Sequence, residues 1–326
     1  MPLAERSASA SDPATDQRRG IRFMVGSAFF FSLMSLFVKL VGQSLPSQEV
    51  VLGRGIVTLV LSYVALRVAG VNPAGHRTGL LALRGIVGYA AVSAFFYGVI
   101  HLPLAEATVI HYTNPVFTAV IAAIFLREPI RAGDAKCLLL SLTGVVIITR
   151  PVFLFGDATS ALDPVGLAAS LTGAVLAAAA YVMIRYLAAT EHELVIVLWF
   201  GVIGTLGAIP ATAVDFVLPV GWLWPGLLAV GLTTHAAQVF LTRGLALVPA
   251  GRAMTISYVQ IVFATLWGII FFGETPDAWL FLGAALIVAS TMSLRRRLPD
   301  DIGAEAIEAA AVTDLPGPTA SDVMAE

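Results

Sequence analysis

A single cysteine, Cys137, leaves this chain without a disulfide framework or a multi-cysteine metal site. Charge is just as scarce. Charged residues make up 12% of the 326, against ~25% in an average soluble domain, and no charged coat exists away from the two ends. A water-soluble globular protein of this length is thereby excluded. The motifs of energy transduction and hydrolysis are missing too. There is no GxxxxGK[ST] loop and no GxSxG, and HELVI at 192–196 lacks the second histidine of HExxH. ATP hydrolysis has no residues to work with. An intramembrane enzyme would need a nucleophile with its base, or a metal cluster. His111 and His235 have no nearby carboxylates on their faces with which to build one. No cofactor, metal or nucleic-acid partner is expected.

What the chain does have is hydrophobic length: 58% of it is apolar. A helix needs about 20 mostly apolar residues to cross the hydrocarbon core. Ten stretches qualify: 21–41, 48–69, 79–100, 103–126, 132–150, 163–187, 193–214, 221–247, 248–272 and 277–294. Backbone in lipid must satisfy its own hydrogen bonds, so spans of this length are helices. The breaks between them are short, which leaves no room for an extramembrane domain. Residues 1–20 lack the apolar core of a cleavable signal peptide. They read as a disordered cytoplasmic tail, and 298–326 as an acidic disordered one.

Orientation follows from the basic residues. Arg6, Arg18, Arg19 and Arg22 precede the first span, and Arg295, Arg296 and Arg297 follow the last. Even span number puts both ends on one side, which these residues make cytoplasmic. The connections on that side hold Arg67, Arg77, Arg127, Arg131 and Arg252. The other side holds Arg150 among acids such as Asp157, Asp163, Asp215, Glu274 and Asp277. The expected location is a bacterial-type cytoplasmic (inner) membrane.

The halves repeat. A shift of 146 residues aligns 81–128 with 227–274 without a gap, and 14 of the 48 positions are identical. Gly85/Gly231, Gly98/Gly244, Pro103/Pro249, Tyr112/Tyr258 and Glu128/Glu274 are among them, and these are not matches that apolar composition produces by itself. The same shift places Gly20 on Gly166 and Lys39 on Arg185. Five spans per half is an odd number, so the second half runs with opposite polarity. Inverted repeats are a recurring plan for secondary transporters, with the binding site near mid-membrane at the repeat interface.

The polar residues within spans are the candidates for solute binding. In the fourth span His111 and Asn114 share a face beside Tyr112, and Pro115 frees a carbonyl. In the ninth, Ser257, Tyr258 and Gln260 are the repeat equivalents of His111, Tyr112 and Asn114. The two sets are expected to face one another. His235, Gln238 and Thr242 line one face of the eighth span, and Tyr89 is the repeat equivalent of His235. All these groups equally suit interhelical hydrogen bonding. Lys39, Arg54, Arg84, Glu106, Arg185 and Arg243 are charges within spans. Lys39 and Arg185, near span ends, are read as snorkelling to the interface. Arg54 needs a carboxylate or carbonyls, with Glu106 as candidate partner, making either an ion pair or an outer gate that recognises anions. Glu128 and Glu274 read as caps for the turns that follow them.

LPLAEATVIHYTNPVFTAVIAAIFLREP (102–129) and SYVQIVFATLWGIIFFGET (257–275) each end a span in a Phe-rich stretch, a glutamate and a turn. On these residues the chain resembles the drug/metabolite transporter superfamily, specifically its EamA family of ten-helix permeases, over about 21–294. LRGIVGYAAVSAFFYGVIHLPLAEAT (83–108) also looks like the branch with S-adenosylmethionine-type carriers. The resemblance implies an all-α integral membrane fold of ten transmembrane helices, arranged as two inverted-topology five-helix repeats. The first EamA repeat is 21–150, the second 163–297, and 151–162 is an external linker. It implies alternating access for a small organic metabolite, such as an amino acid, through a central cavity. Coupling would be to protons or to a counter-solute; if protons drive transport, Glu106 and His111 are the groups able to titrate. The protein would act as a monomer or weak homodimer. The competing reading is a non-transporting receptor or assembly subunit.

Overall fold

The computed structural model describes residues 13–102, 104–149, 154, 163–273 and 278–296, and among these every regular element is helical. The first half contributes α1 (Pro13–Val41), α2 (Ser47–Val68), α3 (Thr78–His101), α4 (Leu104–His111), α5 (Asn114–Phe125) and α6 (Ala132–Thr149). The second contributes α7 (Pro164–Leu187), α8 (Glu193–Thr212), α9 (Leu223–Leu247), α10 (Ala250–Ser257), α11 (Val259–Phe272) and α12 (Ala278–Arg296). Expectations for residues 1–12, for 298–326 and for most of the linker lie outside the described residues. α1 starts at Pro13, well before the apolar run at Ile21, because a proline followed by Asp16 suits a helix N-terminus.

Ten spans result, because α4 with α5 and α10 with α11 are each one crossing broken in two. Eight of the crossings are long and apolar enough by composition, and Ala278–Leu294 is a shorter apolar helix. α9 is long but less apolar, since His235, Gln238 and Arg243 fall within it. The chain is therefore an all-helical, multi-pass membrane protein built of two inverted repeats. Its outward surface supports this: Val64, Ile86, Ile124, Phe125, Leu139 and Ile270 are all exposed. A soluble protein would not leave so wide an apolar band uncovered.

The repeat governs how the helices pack. α1 lies on α9, and its repeat counterpart α7 lies on α3. α2 crosses α8, its own counterpart, and α6 crosses α12. Close approaches come in pairs offset by 146. A Cβ on Gly98 would collide with Ser170, and one on Gly244 with Met24. Likewise Gly55 meets Thr205 and Gly201 meets Leu59 where α2 crosses α8. Lipid supplies no hydrophobic force between helices, so such small-residue contacts let the backbones approach and van der Waals packing hold them.

The two breaks lie at equivalent positions, and both are tight turns. In the first, Thr113 N–H donates to the Ile110 carbonyl at 3.1 Å, and Val116 N–H to Thr113 at 2.9 Å. In the second, Tyr258 N–H donates to Thr255 at 3.4 Å, and Ile261 N–H to Tyr258 at 3.0 Å. Pro115 explains the first. The second has Ile261 at the equivalent site. There the Ser257 hydroxyl donates to the Met254 carbonyl at 2.6 Å, a local bond that bends helices.

The breaks meet. Tyr258 Oη donates to the main-chain carbonyl of Tyr112 at 2.7 Å, between residues 146 apart in sequence. The ring centroids are 6.0 Å apart, and Tyr258 is fully buried. The pseudo-two-fold axis therefore passes between these residues. Tyr258→Phe should cost about 1–2 kcal/mol by stranding that carbonyl, read as a lowered melting temperature in detergent. Tyr112→Phe leaves the bond in place and should cost less.

Candidate functional site

The polar residues of the spans separate into a group at the helix breaks and a group where α2 and α3 meet α8 and α9. At the breaks, Asn114 Nδ2 donates to the His111 carbonyl at 2.8 Å, so its amide caps the turn while Oδ1 stays buried without a partner. The His111 ring packs on Phe95 with centroids 4.2 Å apart, and its Nδ1 is also buried and unpartnered. Ser257 is spent on its own turn, and Gln260 is half-buried. The expected confrontation of 111–114 with 257–260 is thus bridged by the tyrosines rather than by His111, Asn114, Ser257 and Gln260. Two buried polar atoms without partners remain there, and such groups are costly unless something fills their hydrogen bonds.

In the second group, His235 Nδ1 sits 3.2 Å from Ser62 Oγ of α2, and Tyr89 Oη donates to the Gly207 carbonyl at 2.6 Å. His111 and His235 thus serve different partners. Gln238 is buried, with Oε1 unpartnered. Arg54, Thr58, Tyr89, Phe200, Gly204 and Thr234 line a small cavity on this side. Among the described residues Arg54 makes no ion pair; its expected partner Glu106 has a side chain outside the described residues. Glu49, one turn before Arg54, instead accepts from Val217 N–H at 3.1 Å.

A third polar group closes the arginine-rich end of the bundle. Arg185 does not snorkel. Its Nε donates to Glu128 at 3.0 Å and its Nη1 to the Leu245 and Ala246 carbonyls at 2.9 and 2.6 Å. Those carbonyls are left open by the end of α9, and a guanidinium forks across them more favourably than it reaches water. Glu128 also accepts from Ala250 N–H at 2.8 Å, capping α10. Its reading as a cap holds, although the helix it caps belongs to the other repeat. Arg252 Nε bonds Asp134 at 3.0 Å beside it, and Arg243 bonds Glu193 at 2.7 Å. Lys39 lies 3.9 Å from the Phe272 ring centroid, and Glu274 is outside the described residues. Every described contact of Glu128 with these partners joins one repeat to the other.

Sequence reasoning missed Thr58, Ser62, Thr205 and Phe200. Thr58 follows Arg54 by one helical turn, so the face was readable; the other three needed the packing of α2 against α8 and α9.

A ten-helix bundle with two broken helices paired across an in-plane axis, and polar groups at mid-depth, defines a membrane transporter of the inverted-repeat class. The comparisons agree. The EamA-like transporter family model matches residues 18–150 and again 164–296, and the chain belongs to that family. It is 35% identical over 280 residues to the pseudopaline exporter CntI of Pseudomonas aeruginosa, covering 86% of this chain and 96% of that one. It is 33% identical over 285 residues to human solute carrier family 35 member G1, covering 84% and 78%. A solved crystal structure shares the fold with a TM-score of 0.73 at 19% identity, covering 87% of this chain and 99% of the other. The family and the two named relatives are transporters and not enzymes.

Glu128→Ala removes both a helix cap and an ion-pair partner, and should cost about 2–3 kcal/mol. Glu128→Gln keeps an acceptor for Ala250 N–H and should cost less. Thermal unfolding of both variants in detergent checks the order.

Proposed function

We propose that the protein is a secondary permease that exports a small organic metabolite, such as an amino acid or a related compound, by alternating access. The observation that carries this reading is the Tyr258–Tyr112 contact. It joins two mid-membrane helix breaks, one from each repeat, beside buried polar atoms that no protein group satisfies. Broken helices at a repeat interface are where transporters of this architecture hold their solutes. The remaining candidate groups, Tyr89, His235 and Gln238, would meet the solute from the neighbouring helices. The outward direction draws on the likeness to a named exporter.

In this reading both termini are cytoplasmic in a bacterial-type inner membrane. The arginine-rich end, closed by Glu128, Arg185, Asp134 and Arg252, is the cytoplasmic gate. Opening it breaks contacts between the repeats and leaves each repeat whole, which is what rocking one repeat against the other requires.

Purified protein in liposomes should move a labelled metabolite from a pooled library. His111→Ala combined with Gln260→Ala should reduce that flux to background while the protein still elutes as a single folded species. Flux unchanged in the double variant would remove the helix breaks from the pathway.

A further inference from the structure

Two arginines lie within the spans with no carboxylate beside them among the described residues. Arg84, on α3, is 3% exposed, and its Nε and Nη1 are buried without any hydrogen-bond partner. Its guanidinium lies over the Phe200 ring, 4.2 Å from the centroid. Arg54, on α2, lines the cavity that the same Phe200 lines, and among the described residues it makes no hydrogen bond or ion pair. Taking a cation out of water costs several kcal/mol, recovered only by an opposite charge or a full set of acceptors. Among the described residues neither has one: Arg84 is buried, and Arg54, half-buried, opens on the cavity.

The repeat supplies an internal control. The equivalent of Arg84 is Val230, fully buried, and the equivalent of Arg54 is Phe200 itself. The same packing positions in the other half are filled by apolar side chains, so the architecture does not call for a cation at either place. Both arginines are departures from symmetry, and both bear on one ring next to the axis.

Hydroxyls around the ring are also left open. Helix threonines in this chain ordinarily spend their proton on their own preceding turn. Thr118, Thr172, Thr234, Thr242 and Thr255 all do so, at 2.7 to 2.9 Å. Thr58, which lines the cavity, and Thr205, which faces Gly55 across the α2–α8 crossing, are buried and bonded to nothing. Arg84 on the Phe200 ring, Arg54 and Thr58 in the cavity that ring lines, and Thr205 against the cavity's Gly55 are therefore all able to donate. Among the described residues no carboxylate pairs with them. Such a set accepts an oxyanion, and its apolar floor accepts a carbon skeleton.

We infer that Arg54, Arg84, Thr58 and Thr205 form a carboxylate-recognition site on the permease's solute pathway, beside the helix breaks, and that the solute it takes carries a carboxylate. The inference rests on the permease reading and adds the chemical class. Arg54 and Arg84 approach Phe200 from opposite ends of antiparallel helices, with α-carbons separated by roughly 14 Å in depth. One arginine thus meets the solute first from each side, and the carboxylate exchanges guanidinium partners as the gate changes side. A planar fork binds a carboxylate through two parallel hydrogen bonds, so lysine is a poor replacement at either position.

The test is stabilisation of the purified full-length protein by succinate and glutamate, with succinamide as the uncharged counterpart and orthophosphate as the other oxyanion. Ligand that binds only the folded state raises the melting temperature by mass action. At least one carboxylate should raise it saturably and succinamide should not. Arg54→Gln and Arg84→Gln should weaken the apparent affinity at least about tenfold, and Arg54→Lys and Arg84→Lys should fold normally with intermediate affinity. No stabilisation by either carboxylate, equal stabilisation in the glutamine variants, or stabilisation by phosphate alone would each overturn the inference. Flux of an uncharged metabolite that ignores Arg54→Gln would keep the permease and remove the anion site. Carboxylate binding without flux of any solute would remove the permease and keep the site.

Discussion

A helix that stops inside a bilayer leaves amides and carbonyls that lipid cannot satisfy. Here two such stops occur, and a side chain from one satisfies the backbone of the other. The Tyr258 hydroxyl reaches the Tyr112 carbonyl, and the same pair of residues defines the axis about which the helices exchange. Were the breaks to fall at different depths, the bond would have no acceptor to reach. The offset of 146 is therefore a physical constraint as well as a trace of duplication. It holds the two weakest points of the bundle opposite one another, where a solute would find backbone and side chains not fully committed to the fold.

The repeat, the span number and the inversion were legible in the sequence because they depend on periodicity and parity, which a linear string carries. The depth of the polar residues was legible for the same reason. Partnership was not. Arg185 near a span end has the pattern of a snorkelling side chain, and only the packing of α7 against α5 and α9 brings Glu128 and two open carbonyls within its reach. The break at Tyr258 was hidden as well. Pro115 announces its counterpart, whereas Ile261 announces nothing, and the bend there rests on a serine bonding its own turn. The outer half of the candidate site was half-visible: Arg54 stood out as a charge among apolar residues, but the ring it approaches looks like any other core phenylalanine.

Glu128 shows why the closed end behaves as one unit. Its two oxygens are divided between the Arg185 guanidinium and the Ala250 amide, so it cannot release the α10 cap without also loosening the α9–α7 corner. Arg252 and Asp134 add a second bond across the same seam. Contacts that share one carboxylate break together, so in the proposed cycle that end would open as one unit and not by gradual fraying. Bistable packing of this kind is what alternating exposure of a central site requires.

Symmetry also separates what the architecture needs from what the site adds. Where the halves agree, as at Gly98/Gly244 or Tyr112/Tyr258, the residue serves a contact that recurs in both, and the reason is packing. Where they differ at equivalent depth, packing cannot be the reason, because the other half accomplishes it with a different side chain. His111 faces this comparison against Ser257, Tyr89 against His235, Arg54 against Phe200 and Arg84 against Val230. The last two are the sharpest: a valine stands where the buried Arg84 carries a desolvation cost of several kcal/mol, and a phenylalanine where the half-buried Arg54 opens on the cavity. A cost that the sister repeat avoids at the same position asks for an offset that no described residue supplies, and in the proposed reading an anionic solute arriving at Phe200 would supply it.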